Sequence, residues 1–406
     1  MKEPKLKYAW IMFAIFLTAY FFVYFHRMSL NVVGPYITEV VGGNYIYLSS
    51  IYFWTYAAMQ IPCGMLADRF GPRKVAFVFL SMAALGSAVT AFSETFMAAA
   101  IGKMMIAAGM AAVYIPMMKV IATWFPPNYF PQLVGIVIAV GNIGAISATV
   151  PLQISVDFLG WRGTFVLLAV ITLVIAVLCF ILIRDLPPGA SVKENTGMVE
   201  GLKTVFSSGR KFWPMALAYF LIYGTIMVFQ GTVSKSYFND TYTFVSLTIW
   251  IVAMIGIGKI LSTVLVGVLS GRGFIKSKRT AMIFGNIGFA LVWLVLWVFA
   301  GSMDSAIFWG VVCTLFGFFG GFMSLSFTQV KEWHPTSISG TAVAALNVFL
   351  FLGSAISLEI SGFMLGETPS LENYSAVWGL MFAFSMIAIL AVFISKENIK
   401  TSQRQL

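Results

Sequence analysis

The chain has 406 residues, of which 60% are hydrophobic and 10% charged, and a formal net charge of +10. No soluble domain hides so large an apolar share in one core, so a water-soluble fold is excluded and the bilayer is the solvent. The basic residues are scattered over loops and gather on no single face, which excludes a nucleic-acid surface.

Apolar runs of roughly 20 residues, each long enough to cross about 30 Å of hydrocarbon as a helix, predict spans at 8–33, 44–66, 74–93, 96–124, 132–158, 163–183, 213–238, 244–270, 280–300, 304–330, 338–365 and 374–395. The expectation is an all-α polytopic membrane protein with twelve transmembrane helices. Lys2 to Lys7 ahead of the first run mimic a signal peptide, but no A-x-A-type site follows, so the first helix reads as uncleaved. With the N-terminus inside, 19 of the 25 Lys and Arg fall on inner segments, and only Arg162 and Lys235 lie near the outside. Basic residues in short loops stay in the cytoplasm, so both termini and the polar 184–212 linker are expected there. The linker divides the spans into bundles at 1–183 and 213–406. Cys63, Cys179 and Cys313 sit inside spans without metal-type spacing and read as small packing residues; no metal and no cofactor is expected.

An ionisable residue inside a span costs several kcal/mol and calls for a partner, a wet cavity or a function. Span one carries His26 and Arg27, span four Lys103 and Lys119, span eight Lys259 and span eleven Glu359, whereas spans three, six, nine and twelve carry none. Helical spacing gathers polar and aromatic residues into stripes. These are Tyr20, Tyr24, Arg27 and Asn31 in span one; Ser49, Tyr52, Tyr56 and Gln60 in span two; Asn142, Thr149 and Gln153 in span five; and Tyr219, Tyr223, Gln230 and Ser234 in span seven. Facing one another, such stripes line a wet cavity with ring walls. Taken singly, each polar residue can equally hydrogen-bond a neighbouring helix.

Arg27 is the first candidate for substrate contact, because a guanidinium fork binds a carboxylate through two parallel hydrogen bonds and stays charged when partly desolvated. An internal salt bridge to Glu359 is the competing reading. Lys259 is the second candidate cation, for the far end of an anion or for a gate. Lys119, near the end of span four, reads as a gate or loop anchor. Glu359 is the leading proton carrier and His26 its rival; being adjacent, His26 and Arg27 point about 100° apart and cannot both face one cavity. Arg27, Lys103, Lys119 and Lys259 against Glu359 leave the interior cationic, which attracts an anionic solute.

The two halves echo each other. Gly64-Met65-Leu66-Ala67-Asp68-Arg69 returns as Gly267-Val268-Leu269-Ser270-Gly271-Arg272 at an offset of 203 residues, Trp124-Phe125-Pro126 as Trp333-His334-Pro335 at 209, and Gly135 with Asn142 as Gly340 with Asn347 at 205. The last echo makes Asn347 a candidate beside Asn142. Parallel repeats of this kind, with six spans each, point to two related bundles.

The run Gly64-Met-Leu-Ala-Asp-Arg-Phe-Gly-Pro-Arg-Lys74 resembles the signature loop of the major facilitator superfamily, G-x-L-a-D-R-x-G-x-[RK]-[RK]. The resemblance implies two six-helix bundles in parallel repeat, rocking around a midplane site, with the four bare spans on the lipid-facing side. It also implies a cytoplasmic gate at Gly64, Asp68, Arg69, Gly71 and Arg73, with Asp68 facing a helix N-terminus. Lys103 takes the place of the basic residue in the superfamily's span-four motif, so a structural or proton-linked role is implied. Tyr24-Phe25-His26-Arg27-Met28-Ser29, Trp124-Phe125-Pro126 and Lys331-Glu332-Trp333-His334-Pro335 resemble the prokaryotic organic-anion branches, the anion:cation symporters and oxalate/formate-type antiporters. In the symporters an Asp-Arg pair in span one engages the substrate carboxylate. Arg27 matches that arginine, and His26 stands where the aspartate would.

The expected function is secondary active transport of a small carboxylate-bearing organic anion by alternating access, proton-coupled or by anion exchange, in a functional monomer of a prokaryotic inner membrane. Transport of a zwitterion such as an amino acid, or export of a drug or metabolite, is the alternative. No G-x-x-x-x-G-K-[ST] is present for ATP-driven transport, and no HExxH or GxSxG supports a membrane enzyme.

Overall fold

The computed structural model describes residues 3–126, 129–186, 198–271, 274–275, 277–334 and 339–396. In chain order these form α1 (Glu3–Met28), α2 (Leu30–Val41), α3 (Tyr45–Ala91), α4 (Phe96–Ala111), α5 (Tyr114–Trp124), α6 (Phe130–Ser147) and α7 (Val150–Leu182), then α8 (Met198–Phe206) and α9 (Trp213–Val228). There follow α10 (Ser234–Thr241), α11 (Thr248–Gly271), α12 (Lys278–Val298), α13 (Ala306–Gly320), α14 (Leu325–Trp333), α15 (Ser339–Leu365) and α16 (Leu371–Ile394).

Among the described residues, ten helical stretches are long and apolar enough to cross a membrane. The first half of α3 is not one of them, because its Tyr52, Tyr56, Ser49, Ser50 and Gln60 dilute its hydropathy. A further predicted span is split: α6 is short, and its continuation is the start of α7, beyond a break at Ala148 and Thr149. Counting these two gives the twelve expected helices. Two apparent long helices are each a pair. Gly71 (φ 83°) and Gly160 (φ 69°) turn the chain inside α3 and α7, a conformation that costs a residue with a Cβ on the order of 1 kcal/mol or more.

The chain folds into two compact units, residues 1–195 with 229–238, and residues 196–228 with 239–406. In the first, α1 packs on α6, and α3 on α4 and α7. In the second, α9 packs on α15, α11 on α13, and α12 on α16. Lipid tails are as apolar as side chains, so helices in a bilayer associate through close packing more than through a hydrophobic drive. A Cβ at Gly144 of α6 would collide with the main-chain oxygen of Phe21 in α1, and one at Gly353 of α15 with that of Phe220 in α9. Each unit therefore joins its first span to its fifth through a glycine laid directly on backbone.

Two predicted spans and the linker differ in detail. The first is not one helix to residue 33: it breaks at Ser29 and resumes as α2, with Pro35 inside it, to Val41. The seventh runs from α9 through a π-helical turn at Phe229–Val233 into α10. The 184–212 linker is not uniformly irregular, since it contains α8 and a 3-10 turn at Gly209–Lys211.

Candidate substrate site

The break in the first span is where its charged residues lie. Ser29 Oγ donates to the His26 carbonyl at 3.0 Å, and the Ser29 carbonyl accepts from both Val32 N and Val33 N. The interrupted ladder is thereby satisfied locally. Arg27 is 5% exposed and its guanidinium carbon lies 4.4 Å from the Tyr24 ring centroid and 5.2 Å from that of Tyr56. Cation–π contact of this kind stabilises a desolvated guanidinium. Tyr52 stacks on Tyr56 at 6.0 Å and 30°, while Tyr20 meets Tyr24 at 5.3 Å and Tyr114 at 5.6 Å. A Cβ at Gly141 of α6 would touch the Tyr20 and Tyr24 rings, so α6 packs on the same tyrosines beside Asn142, which is 8% exposed. Gln60 stands one turn beyond Tyr56 on α3 and is partly buried. Arg27, Tyr24, Tyr52 and Tyr56 are thus brought together. Tyr114 joins them without having stood in any sequence stripe.

His26 faces a different neighbourhood. Lys103, fully buried on α4, donates to Ser29 Oγ at 3.5 Å and stands 4.9 Å from the Phe165 ring centroid of α7. Both ring nitrogens of His26, 1% exposed, lack a hydrogen-bond partner among the described residues. The adjacent residues 26 and 27 do point to different surroundings, one basic and dry, the other aromatic.

A third cluster of the first unit gathers Asn31, Gln153, Gln230 and Ser234, members of three sequence stripes, around Lys235, which stood in none. Asn31 donates from Nδ2 to the Gln230 carbonyl and to Ser234 Oγ, each at 2.9 Å, and its Oδ1 accepts from Lys235 N at 3.1 Å. Gln230 lies in the π turn, and Ser234 and Lys235 directly follow it. Gln230 itself is 9% exposed, and its side-chain oxygen has no partner among the described residues. Lys235, expected from the sequence near the outer side of the membrane, is 8% exposed. Its Nζ donates to Gln153 Oε1 at 2.7 Å and to the Val32 carbonyl at 3.3 Å, and it stands 4.7 Å from the Tyr36 ring centroid. Gln153 in turn donates to Asp157 Oδ1 at 2.6 Å and to the Tyr36 hydroxyl at 3.2 Å. The available signal was Gln153 in the span-five stripe and a lysine five residues after Gln230.

In the second unit Lys259 of α11 places its Nζ 5.4 Å from the Tyr223 ring centroid of α9, and Tyr223 meets Tyr219 at 5.6 Å. Asn347 is partly buried on α15. Glu359, further along α15, is exposed, so the carboxyl expected as a buried proton carrier is not buried here.

The signature loop is built around the turn at Gly71. Arg73 N donates to Asp185 Oδ1 at 2.8 Å, so the carboxylate caps the helix that restarts at Pro72. Arg73 Nε donates to the Phe180 carbonyl at 2.6 Å with the guanidinium 4.6 Å from that ring. Lys119 Nζ donates to the Ala67 carbonyl at 2.9 Å, tying α5 to the loop. Gly64 is buried and Arg69 is exposed beside Phe70, whereas the Asp68 side chain lies outside the described residues. Among the described residues, no cluster of His, Cys, Asp and Glu is arranged to hold a metal ion.

Residues 16–272 match the model of the Major Facilitator Superfamily. The chain is 23% identical over 419 residues to the probable sulfoacetate transporter SauU of Cupriavidus necator, covering 96% of this chain and 95% of that protein. It is 24% identical over 400 residues to the hexuronate transporter of Bacillus subtilis, covering 90% of each. Among solved structures, a bacterial homologue of the human lysosomal transporter Spinster superposes with a TM-score of 0.76 over 97% of both chains, at 15% identity.

Proposed function

The chain belongs to the Major Facilitator Superfamily, and on that premise we propose that it is a secondary carrier that moves a small carboxylate-bearing organic anion across the membrane by alternating access. The observation that carries this reading is the Arg27 guanidinium, 5% exposed and walled by tyrosine rings. A planar fork held by packed rings is preorganised for the two oxygens of a carboxylate, and phenol hydroxyls supply further donors. The names of the relatives, which include sulfoacetate and hexuronate transporters, support the same class of solute. Tyr24, Tyr52, Tyr56, Gln60 and Asn142 join Arg27 as substrate-facing groups in this reading. Gln230, Tyr223, Lys259 and Asn347 are the further candidates that the sequence assigns to the solute.

The bundles are residues 1–183 and 213–406, joined by the 184–212 linker. Both termini face the cytoplasm of a prokaryotic inner membrane, and the carrier works as a monomer. Proton coupling or anion exchange drives it, with His26, Lys103 and Glu359 as the groups that move or sense charge. Lys119 and the loop of Gly64, Asp68, Arg69, Gly71 and Arg73 form the cytoplasmic gate.

Proteoliposomes preloaded with one carboxylate and given a labelled one outside test this directly. Counterflow of mono- or dicarboxylates supports the reading. Counterflow confined to amino acids or cations, with carboxylates inert, overturns it.

A further inference from the structure

Lys235 of α10 meets α2 and the start of α7 inside the first unit. Its backbone N–H donates to Asn31 Oδ1 at 3.1 Å, which fixes where the side chain sets out. Its Nζ donates to Gln153 Oε1 at 2.7 Å and to the Val32 carbonyl at 3.3 Å, with the Tyr36 ring centroid 4.7 Å away. Gln153 uses its amide nitrogen elsewhere, donating to Asp157 Oδ1 at 2.6 Å and to the Tyr36 hydroxyl at 3.2 Å. An ammonium on one side and a carboxylate on the other fix which end of the amide is which. The row runs from the buried Lys235 through the half-buried Gln153 to the exposed Asp157. The two charges therefore face each other across a neutral amide.

A charge inside a span is costly, and a buried cation that serves only the fold is ordinarily paired with a carboxylate. Lys235 is not: among the described residues both oxygens on its Nζ are neutral. An ammonium carries three protons, and no oxygen of the described residues takes the third. Neutral acceptors are also the ones an anion displaces most readily. Leaving Gln153 forfeits an ordinary hydrogen bond, whereas a carboxylate brings a charge-assisted one about twice as strong. A direct salt bridge to Asp157 would have had to be broken first.

We propose that Lys235 is a further recognition residue for the transported anion, on which a carboxylate oxygen of the solute takes the place of Gln153 Oε1. The assignment rests on the anion-carrier reading above and adds to it a cation that the sequence placed with the topology signals. Gln153 keeps its amide nitrogen on Asp157 and Tyr36 during the exchange, so the displaced amide stays anchored to its own helix. Val32, which holds the ammonium from the other side, belongs to the same span as Arg27, across the break at Ser29. The guanidinium and the ammonium are thus both carried against one span. Asp157 acts in the opposite sense, as a fixed negative charge that weakens the attraction of this end of the unit for anions.

The test is counterflow in proteoliposomes carrying the full-length wild type, Lys235→Met, Lys235→Arg or Asp157→Asn, with KM and Vmax read separately at low ionic strength. Labelled acetate, succinate, glucuronate and sulfoacetate are the probes, and whichever the wild type exchanges fastest is carried through the variants. Lys235→Met should raise KM by about tenfold or more, the weight of one charge-assisted hydrogen bond. Lys235→Arg, which keeps a donor cation, should hold KM within about threefold of the wild type. Asp157→Asn should lower KM, because the opposing charge is gone. A purely structural lysine would instead reduce Vmax or the yield of folded protein and leave KM where it was. Wild-type exchange with an unchanged KM in Lys235→Met overturns this assignment alone, whereas a wild type that exchanges none of the probes overturns the carrier reading and the assignment with it. If Lys235→Met does not fold, the exposed Asp157→Asn takes its place, and a KM there that is unchanged or raised overturns the assignment.

Discussion

The guanidinium of Arg27 lies over the ring of Tyr24, 4.4 Å from its centroid and one helical turn away on the same face of α1. That pair sets how the cation is carried in a dry place. Replacing Arg27 by Lys exchanges a planar fork that stacks on rings for a strongly hydrated point charge. Arg27→Lys should still insert, and should bind carboxylates at least about tenfold more weakly, a loss of roughly 1.4 kcal/mol. A binding titration that finds unchanged affinity removes Arg27 from the site.

Lys235 and Gln153 should behave as a coupled pair. Gln153→Leu leaves a buried ammonium without its 2.7 Å acceptor, whereas Lys235→Met removes the charge together with its need for one. A double-mutant cycle on thermal stability should give a coupling on the order of 1 kcal/mol. Strict additivity would show that the two side chains act independently.

The turn at Gly71 should tolerate no side chain. Its φ is 83°, and a Cβ there would strike the Asp185 carboxylate that caps the restarting helix. Asp185→Ala should lower stability by about 1 kcal/mol through loss of the cap, and Gly71→Ala by more, through strain and displacement of the same carboxylate. Melting curves of the two variants check the order.

Close backbone packing yields a matched pair of predictions. Gly144→Ala and Gly353→Ala place a methyl against the Phe21 and Phe220 carbonyls respectively. Each should lower the melting temperature by several degrees, on the order of 1–3 kcal/mol. A Gly135→Ala control, where a Cβ meets nothing within 4 Å, should stay near wild type.

Coupling separates three candidates by position. Glu359→Gln should abolish proton-driven accumulation and retain counterflow if the exposed Glu359 carries the proton. If accumulation survives, the same experiment on His26→Gln and Lys103→Met should show the loss, because these two basic groups share one buried neighbourhood through Ser29. Accumulation unaffected by all three would exclude every named carrier.

Much of this was legible from periodicity. Lipid admits only helices or closed barrels, and apolar runs of about 20 residues select the helix, so the spans follow from those runs, and the stripe of Tyr20, Tyr24 and Arg27 follows from 3.6-residue spacing. What stayed hidden has no local signature. The capping of Arg73 by Asp185 joins residues 112 apart, and nothing in a polar linker marks one aspartate for that role. Lys235 sits near the end of a span, where the same residue type ordinarily marks topology. A π turn at Phe229–Val233 directly precedes its helix, and a π turn changes the helical register in a way apolar spacing does not reveal. The exposure of Glu359 was equally invisible, because a span's sequence tells which residues share a face and not which neighbour covers it.

The central claim is that a carboxylate is held by Arg27. The most direct measurement is thermal stabilisation of the purified protein against mono- and dicarboxylates, sugar acids, phosphates, amino acids and cations, in the wild type and in Arg27→Ala. The account expects stabilisation by carboxylates or sugar acids that disappears in Arg27→Ala, since a ligand preferring the folded carrier raises its melting temperature. Stabilisation by zwitterions or cations alone, or a carboxylate shift that survives in Arg27→Ala, would contradict it.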